Sequence, residues 1–122
     1  MGYIIHVDNS DFFRKVTNVL LAKLGYESLG YARAEDALDM ALTGKADCVI
    51  TGLELADMTG EDFIKQLTIS AEMIPVIVIT SRDDEEEFDR LKTLGVKAII
   101  QKADNWEEEL RMQLASLTEE AS

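Results

Sequence analysis

Residues 75–80 read Pro-Val-Ile-Val-Ile-Thr, four β-branched side chains in succession behind a proline. β-branched residues favour extended backbone, and proline is tolerated at the first position of a strand, where its missing N–H matters least. Because strand side chains alternate between faces, an unbroken apolar run must be covered on both sides. Cys48-Val49-Ile50 is a second run of this kind, too brief for a helix. Strands of this type belong to parallel sheets, whose crossovers need helices on both faces.

The remaining segments supply those helices. Tyr3 to Val7 predicts a first strand, and Ser10 caps a helix running to Leu24 with Phe12, Val16, Val19, Leu20 and Leu24 on its inner face. Gly25 stops it. Glu27 to Ala32 is a weaker second strand; Ala34, Ala37, Leu38, Ala41 and Leu42 line a second helix, ended by Gly44. After the Cys48 strand, Thr59-Gly60-Glu61-Asp62 reads as a helix start, with Thr59 as cap and Asp62 as an imperfect capping-box partner; Phe63, Ile64 and Leu67 point inward. Ser81 or Asp84 caps a fourth helix burying Phe88, Leu91 and Leu94, and Gly95 ends it before a fifth strand, Val96 to Ile100. Asn105 with Glu108 resembles a capping box for a last helix burying Trp106, Leu110, Leu114 and Leu117. Its first-turn acids, Glu107 to Glu109, suit the positive end of the helix dipole. Five strands alternating with five helices make a doubly wound α/β domain with right-handed crossovers. One domain is expected over residues 1–122, with its core at about 3–117 and residues 118–122 frayed or opening a linker.

The chain carries 24 acidic against 12 basic residues, a net charge of −12 over 122 residues. Such a surface repels phosphate backbones and anionic lipid, which argues against nucleic-acid or membrane binding by this domain and favours a protein partner. No stretch is long and apolar enough to span a bilayer, and Met1 to His6 lacks the basic flank and apolar length of a signal peptide. One cysteine and one histidine exclude an internal disulfide and a histidine-rich metal site. A reducing cytoplasm is the expected home. His6, between Ile5 and Val7, reads as a satisfied neutral core histidine, and Cys48 as a small core hydrophobe.

These elements, in this order, resemble the receiver domain of bacterial two-component response regulators, as in chemotaxis regulators. The local matches are Val7-Asp8-Asn9-Ser10 (the acidic pair after the first strand), Leu24-Gly25-Tyr26 (the helix stop), Pro75 to Thr80 (the fourth strand with its terminal hydroxyl) and Lys102 after Ile99-Ile100-Gln101. The resemblance implies a flavodoxin-like sheet of order 2-1-3-4-5. It also implies a pocket in which Asp8, Asn9, Thr80 and Lys102 converge, and phosphorelay signalling with a histidine kinase, an output domain, another signalling protein or a second copy as partner.

The departures bear directly on function. Aligning Met58-Thr59-Gly60 with the family's Met-x-Gly turn places the phosphoacceptor aspartate at Gly52, which has no nucleophile. Asn9 replaces the second acid, so Mg²⁺ is expected to bind at most weakly, through Asp8 and Glu54. Asp57 lies too far round the loop to serve as acceptor. Ile99 occupies the family's aromatic switch position, and Ala103 follows the lysine where the family has proline, so the Lys102–Ala103 bond is expected trans. The acidic run Asp83 to Glu87 opens the fourth helix, which receivers use to bind partners, although acids there also suit the dipole. The resulting expectation is a pseudo-receiver, not an enzyme, acting through protein–protein interaction. Two alternatives stand: a receiver responding through another residue or carrying an introduced change at Gly52, and a flavodoxin-like ligand-binding domain.

Overall fold

The computed structural model describes residues 2–70 and 74–121, the last four as backbone only. Five strands, β1 (Tyr3–Val7), β2 (Ser28–Tyr31), β3 (Ala46–Thr51), β4 (Val76–Thr80) and β5 (Ala98–Gln101), alternate with helices α1 (Asp11–Lys23), α2 (Ala34–Ala41), α3 (Gly60–Ser70), α4 (Glu85–Thr93) and α5 (Trp106–Ala121). The sheet is parallel throughout, in the order β2-β1-β3-β4-β5. Strand order reverses between β1 and β3, so their carboxyl ends, with that of β4 beside them, form the crevice where such sheets place their chemistry.

Alternation along the strands divides the core in two. Ile5, Val7, Val49, Val76 and Val78 face α2, α3 and α4, where Ala37, Phe63, Ile64, Leu67 and Leu91 cover them. Ile4, Cys48, Ile50, Ile77, Ile79 and Ile100 face α1 and α5, under Leu21, Leu110 and Leu114. All five residues of β4 are buried, as its double-sided apolar run requires.

Helix ends follow the expected caps in three places. Ser10 Oγ accepts from Phe13 N–H at 3.1 Å, Thr59 Oγ1 from Asp62 N–H at 3.1 Å, and Asp84 Oδ1 from Glu86 and Glu87 N–H at 3.1 and 3.2 Å. Asp84, not Ser81, is therefore the cap of α4. Gly25 and Gly95 take the left-handed backbone that ends α1 and α4, with φ of 89° and 95°.

Several local expectations are corrected. On α1 the inner face is rotated: Thr17 and Leu21 are buried and Phe13, Leu20 and Leu24 partly so, whereas Phe12 and Val19 are exposed. Valine and phenylalanine on a helix at i and i+7 mark a face only if nothing more apolar competes, and Leu20-Leu21 does. Leu42 is exposed past the end of α2. β5 begins at Ala98, two residues later than expected, because Gly95 N–H and Val96 N–H still bond into the last turn of α4. Asn105 and Glu108 form no capping box: Asn105 Nδ2 donates to Glu109, and Glu108 pairs with Arg111. Helix α5 continues past Leu117 as far as Ala121.

Candidate functional site

A cleft of about 240 Å³ opens at the carboxyl ends of β1, β3 and β4, with Asp8, Asn9, Gly52, Glu54, Thr80, Arg82 and Lys102 on its walls. Asp8 follows β1 directly and is nearly buried. Its Oδ1 accepts the Ser10 N–H at 2.8 Å and its Oδ2 lies 3.0 Å from Lys102 Nζ, so both carboxylate oxygens are engaged. Arg14 donates to the Asp8 carbonyl at 2.6 Å, tying the start of α1 to the same loop. Asn9 is exposed.

Lys102 enters from the β5–α5 loop, anchored by its N–H on Thr80 O at 2.8 Å. The Lys102–Ala103 peptide is trans, as expected before alanine, and the amine reaches Asp8 regardless. The ammonium also sits 4.0 Å above the centroid of the Phe13 ring, which in turn packs at 4.8 Å on Trp106. The Thr80 hydroxyl accepts from the Arg82 N–H at 3.0 Å.

Gly52 is buried, its N–H donating to Val7 O at 2.9 Å, with no side chain to offer the cleft. The chain turns back sharply after it: Leu53 and Leu55 are buried, Gly60 N–H bonds to Leu53 O at 2.9 Å, and a Cβ on Gly60 would meet Gly52 O at 2.3 Å. Only glycine fits at residue 60, which is why the Thr59-Gly60 restart holds its position.

Glu54 alternates outward between those leucines, and its carboxylate turns to Arg82 at 2.8 Å instead of toward Asp8. That hydrogen bond, with the charge of the same guanidinium, holds the Glu54 carboxyl below the ordinary range and raises Arg82. Arg82 also grips Glu87 at 2.8 Å, so one side chain links the β3–α3 loop, the β4–α4 loop and the first turn of α4. Glu87 is buried, and its second oxygen has no partner.

The donor set does not suit Mg²⁺. A hard dication needs several anionic oxygens converging with vacant lone pairs. Here Asp8 is committed to Lys102 and Ser10, Glu54 to Arg82, and the residues between them are a glycine and an amide. Among the described residues no three Asp, Glu, His or Cys side chains cluster in a way that could hold a metal.

Ile99, on the opposite face from Lys102, packs partly buried against the α2–α3–α4 side of the core. His6 is buried but not satisfied: its Nε2 has no partner, and its ring fills the space beside Gly30, where a Cβ would come within 2.5 Å of Cε1. Desolvation lowers its pKa, with the Asn18 side-chain hydrogen bond opposing, so burial favours the neutral ring. Burial pushes the Cys48 thiol up to about 12, consistent with an inert core position.

Three participants escaped the sequence reading. Asp57 accepts from Ala34 N–H at 2.7 Å and Glu35 N–H at 3.0 Å, so it caps α2 from the β3–α3 loop; Arg33, at the cap position, makes no side-chain bond there. Nothing local in the sequence announces a cap 23 residues away. Arg82 could have been anticipated, since it lies two residues beyond Thr80 at the same sheet edge. Phe13 could not, because the α1 face was misassigned.

The comparisons with known proteins agree with this geometry. The family profile of the response regulator receiver domain matches residues 4–114. Over 94 residues the chain is 31% identical to the alkaline phosphatase synthesis transcriptional regulatory protein PhoP of Bacillus subtilis, covering 77% of this chain but only 38% of that protein. It is 27% identical to sporulation initiation phosphotransferase F of the same organism, over 75% of this chain and 74% of the relative. Among solved structures, chemotaxis protein CheY4 of Vibrio cholerae superposes with a TM-score of 0.83 at 25% identity, covering 94% of this chain and 98% of the other. A receiver domain protein from Clostridium thermocellum shares the fold at a TM-score of 0.89 and 17% identity, covering 99% of this chain and 97% of the other. The strand order, the edge residues and these matches lead to one assignment: the chain belongs to the receiver domain family of two-component response regulators.

Proposed function

We propose that this domain is a pseudo-receiver: a signalling module that takes no phosphoryl group and acts through protein–protein contacts. The observation that carries the reading is Gly52 at the end of β3, beside an Asp8 already neutralised by Lys102 at 3.0 Å. Aspartyl phosphorylation needs a carboxylate nucleophile and a cation to offset the charge developing on the phosphoryl oxygens. Gly52 supplies neither the nucleophile nor a metal ligand, and the lysine that would meet the phosphoryl group is spent on Asp8. Mg²⁺ is accordingly bound weakly, and the domain performs no catalysis of its own.

Receiver domains interact with histidine kinases and output domains, and this chain is expected to keep a protein partner of that kind. Its net charge of −12 supports such a partner over nucleic acid or membrane. No helix among the described residues is long and apolar enough to cross a membrane, and a cytoplasmic site fits the single buried thiol. Incubation with acetyl phosphate and Mg²⁺, followed by intact mass, tests the reading. No phosphoryl adduct is expected; a stoichiometric one would show that another residue has taken the acceptor's role.

A further inference from the structure

We propose that Lys102 couples the cleft to the junction of α1 and α5, with Phe13 and Trp106 as the responding elements. The inference rests on the cleft being a signalling site, but not on how that site is occupied. The Lys102 ammonium has two anchors at once, Asp8 Oδ2 at 3.0 Å and the face of Phe13 at 4.0 Å. Its side chain is 25% exposed and that of Asp8 12%, so water screens the arrangement only in part. A cation over an aromatic face is attracted to the ring quadrupole, and the attraction strengthens as water is excluded.

Phe13 packs against Trp106, the first residue of α5, at 4.8 Å with the rings tilted by 45°. Asp8, Lys102, Phe13 and Trp106 thus form a continuous series from the β1–α1 loop through the β5–α5 loop to both helices of one sheet face. On the other face, among the described residues, no ring pair or cation–ring contact is found, and Ile99 there is a β-branched aliphatic with few rotamers and no polar tip.

A second arrangement is available to the lysine. Glu54, across the cleft, already feels the Lys102 charge. If the Asp8 charge is neutralised or claimed by another cation, the remaining pull of Glu54, shared with Arg82, draws Lys102 toward the β3–α3 loop and off the Phe13 ring. The ring then loses its cation, and Trp106 its fixed neighbour. Lys102 is a positioning residue in this account: the state of Asp8 is read at α1 and α5.

The chain contains one tryptophan, so Trp106 emission reports this junction alone. Asp8→Asn and Lys102→Met should each shift the emission maximum and change acrylamide quenching, while Lys102→Arg, which keeps the cation, should restore the native spectrum. A double-mutant cycle of Asp8→Asn with Phe13→Leu, read by urea unfolding, should give a coupling of about two- to fivefold in the unfolding equilibrium constant. The same cycle in the Lys102→Met background, or Lys102→Gln if the methionine variant does not fold, should give none. An unchanged Trp106 spectrum in both single variants, or a coupling that persists without Lys102, would overturn the proposal. A phosphoryl adduct on the native protein would defeat the pseudo-receiver reading while leaving this coupling in place.

Discussion

Replacing Gly52 by aspartate isolates the electrostatics of the cleft from its sterics, provided Gly52→Ala is measured beside it. An ideal Cβ at residue 52 would lie 3.0 Å from Asp8 Oδ2 and 3.5 Å from Asp8 Cγ, with Val7 O at 3.7 Å. The first distance is tight, so Asp8 must yield by a few tenths of an ångström, but the backbone of Gly52 is not in the left-handed region. Removing glycine also narrows the unfolded ensemble, worth about 0.4–1 kcal/mol in the opposite direction. Gly52→Ala should therefore stay within about 1 kcal/mol of the parent. Gly52→Asp adds a second carboxylate within roughly 4 Å of Asp8, a repulsion of about 4 kcal/mol at an effective dielectric near 20. Lys102, shared between the two, offsets about half, leaving Gly52→Asp ~2 kcal/mol less stable than Gly52→Ala at pH 7. Urea unfolding followed by circular dichroism measures the gap. One carboxyl of the new pair has its folded pKa raised, so the penalty is present above that pKa and fades as pH falls through it. Mg²⁺ should narrow the gap at pH 7, since the variant has the two adjacent acids the parent lacks, yet phosphorylation should return only in part because Asn9 and Ala103 remain. Equal stability of the two variants at pH 7 would refute the placement of Asp8 against residue 52.

Burial lowers the His6 pKa from 6.5, Asn18 opposing it and Arg14 and Asp8 adding smaller contributions of opposite sign. The unfolded chain therefore binds the proton first, and stability should fall below pH 6.5 by up to about 1.4 kcal/mol per pH unit. In urea titrations across pH 7.5 to 5, His6→Leu should flatten that slope. The Asp57 carboxyl loses solvation, which raises its pKa, but the Glu35 and Ala34 N–H bonds outweigh that and hold it low. Asp57→Ala should lower stability by about 1 kcal/mol and speed amide exchange in α2 while leaving α5 unchanged. Ile99 methyl groups should give a single set of NMR signals, whereas two exchanging sets would show that the α3–α4 face retains a switch.

The fold was legible because its signals were redundant. The apolar runs at residues 48–50 and 76–79 demanded cover on both faces, and glycine stops at 25, 44 and 95 separated the helices from the strands that follow. Register within a helix was less legible. On α1, Phe12 and Phe13 are neighbours in sequence, and only the sheet beneath decides which is buried. In the cleft, Asp8, Thr80 and Lys102 were legible through their match to the receiver pattern, and each lies at or just past a strand end, where the topology brings such positions together. Glu54, Arg82 and Asp57 lie in loops, and their partners depend on side-chain reach across the fold, which no spacing encodes.

With no carboxylate at residue 52, the proposed pseudo-receiver should form no acyl-phosphate-like adduct. Fluorine NMR of the native protein with beryllium, excess fluoride and Mg²⁺ tests it most directly, because beryllofluoride bound to a carboxylate gives its own resonances. Only the signals of the free fluoride species are expected, with the amides of residues 52–54, 80–82 and 102 unmoved. A protein-bound fluorine signal accompanied by shifts at those amides would contradict it.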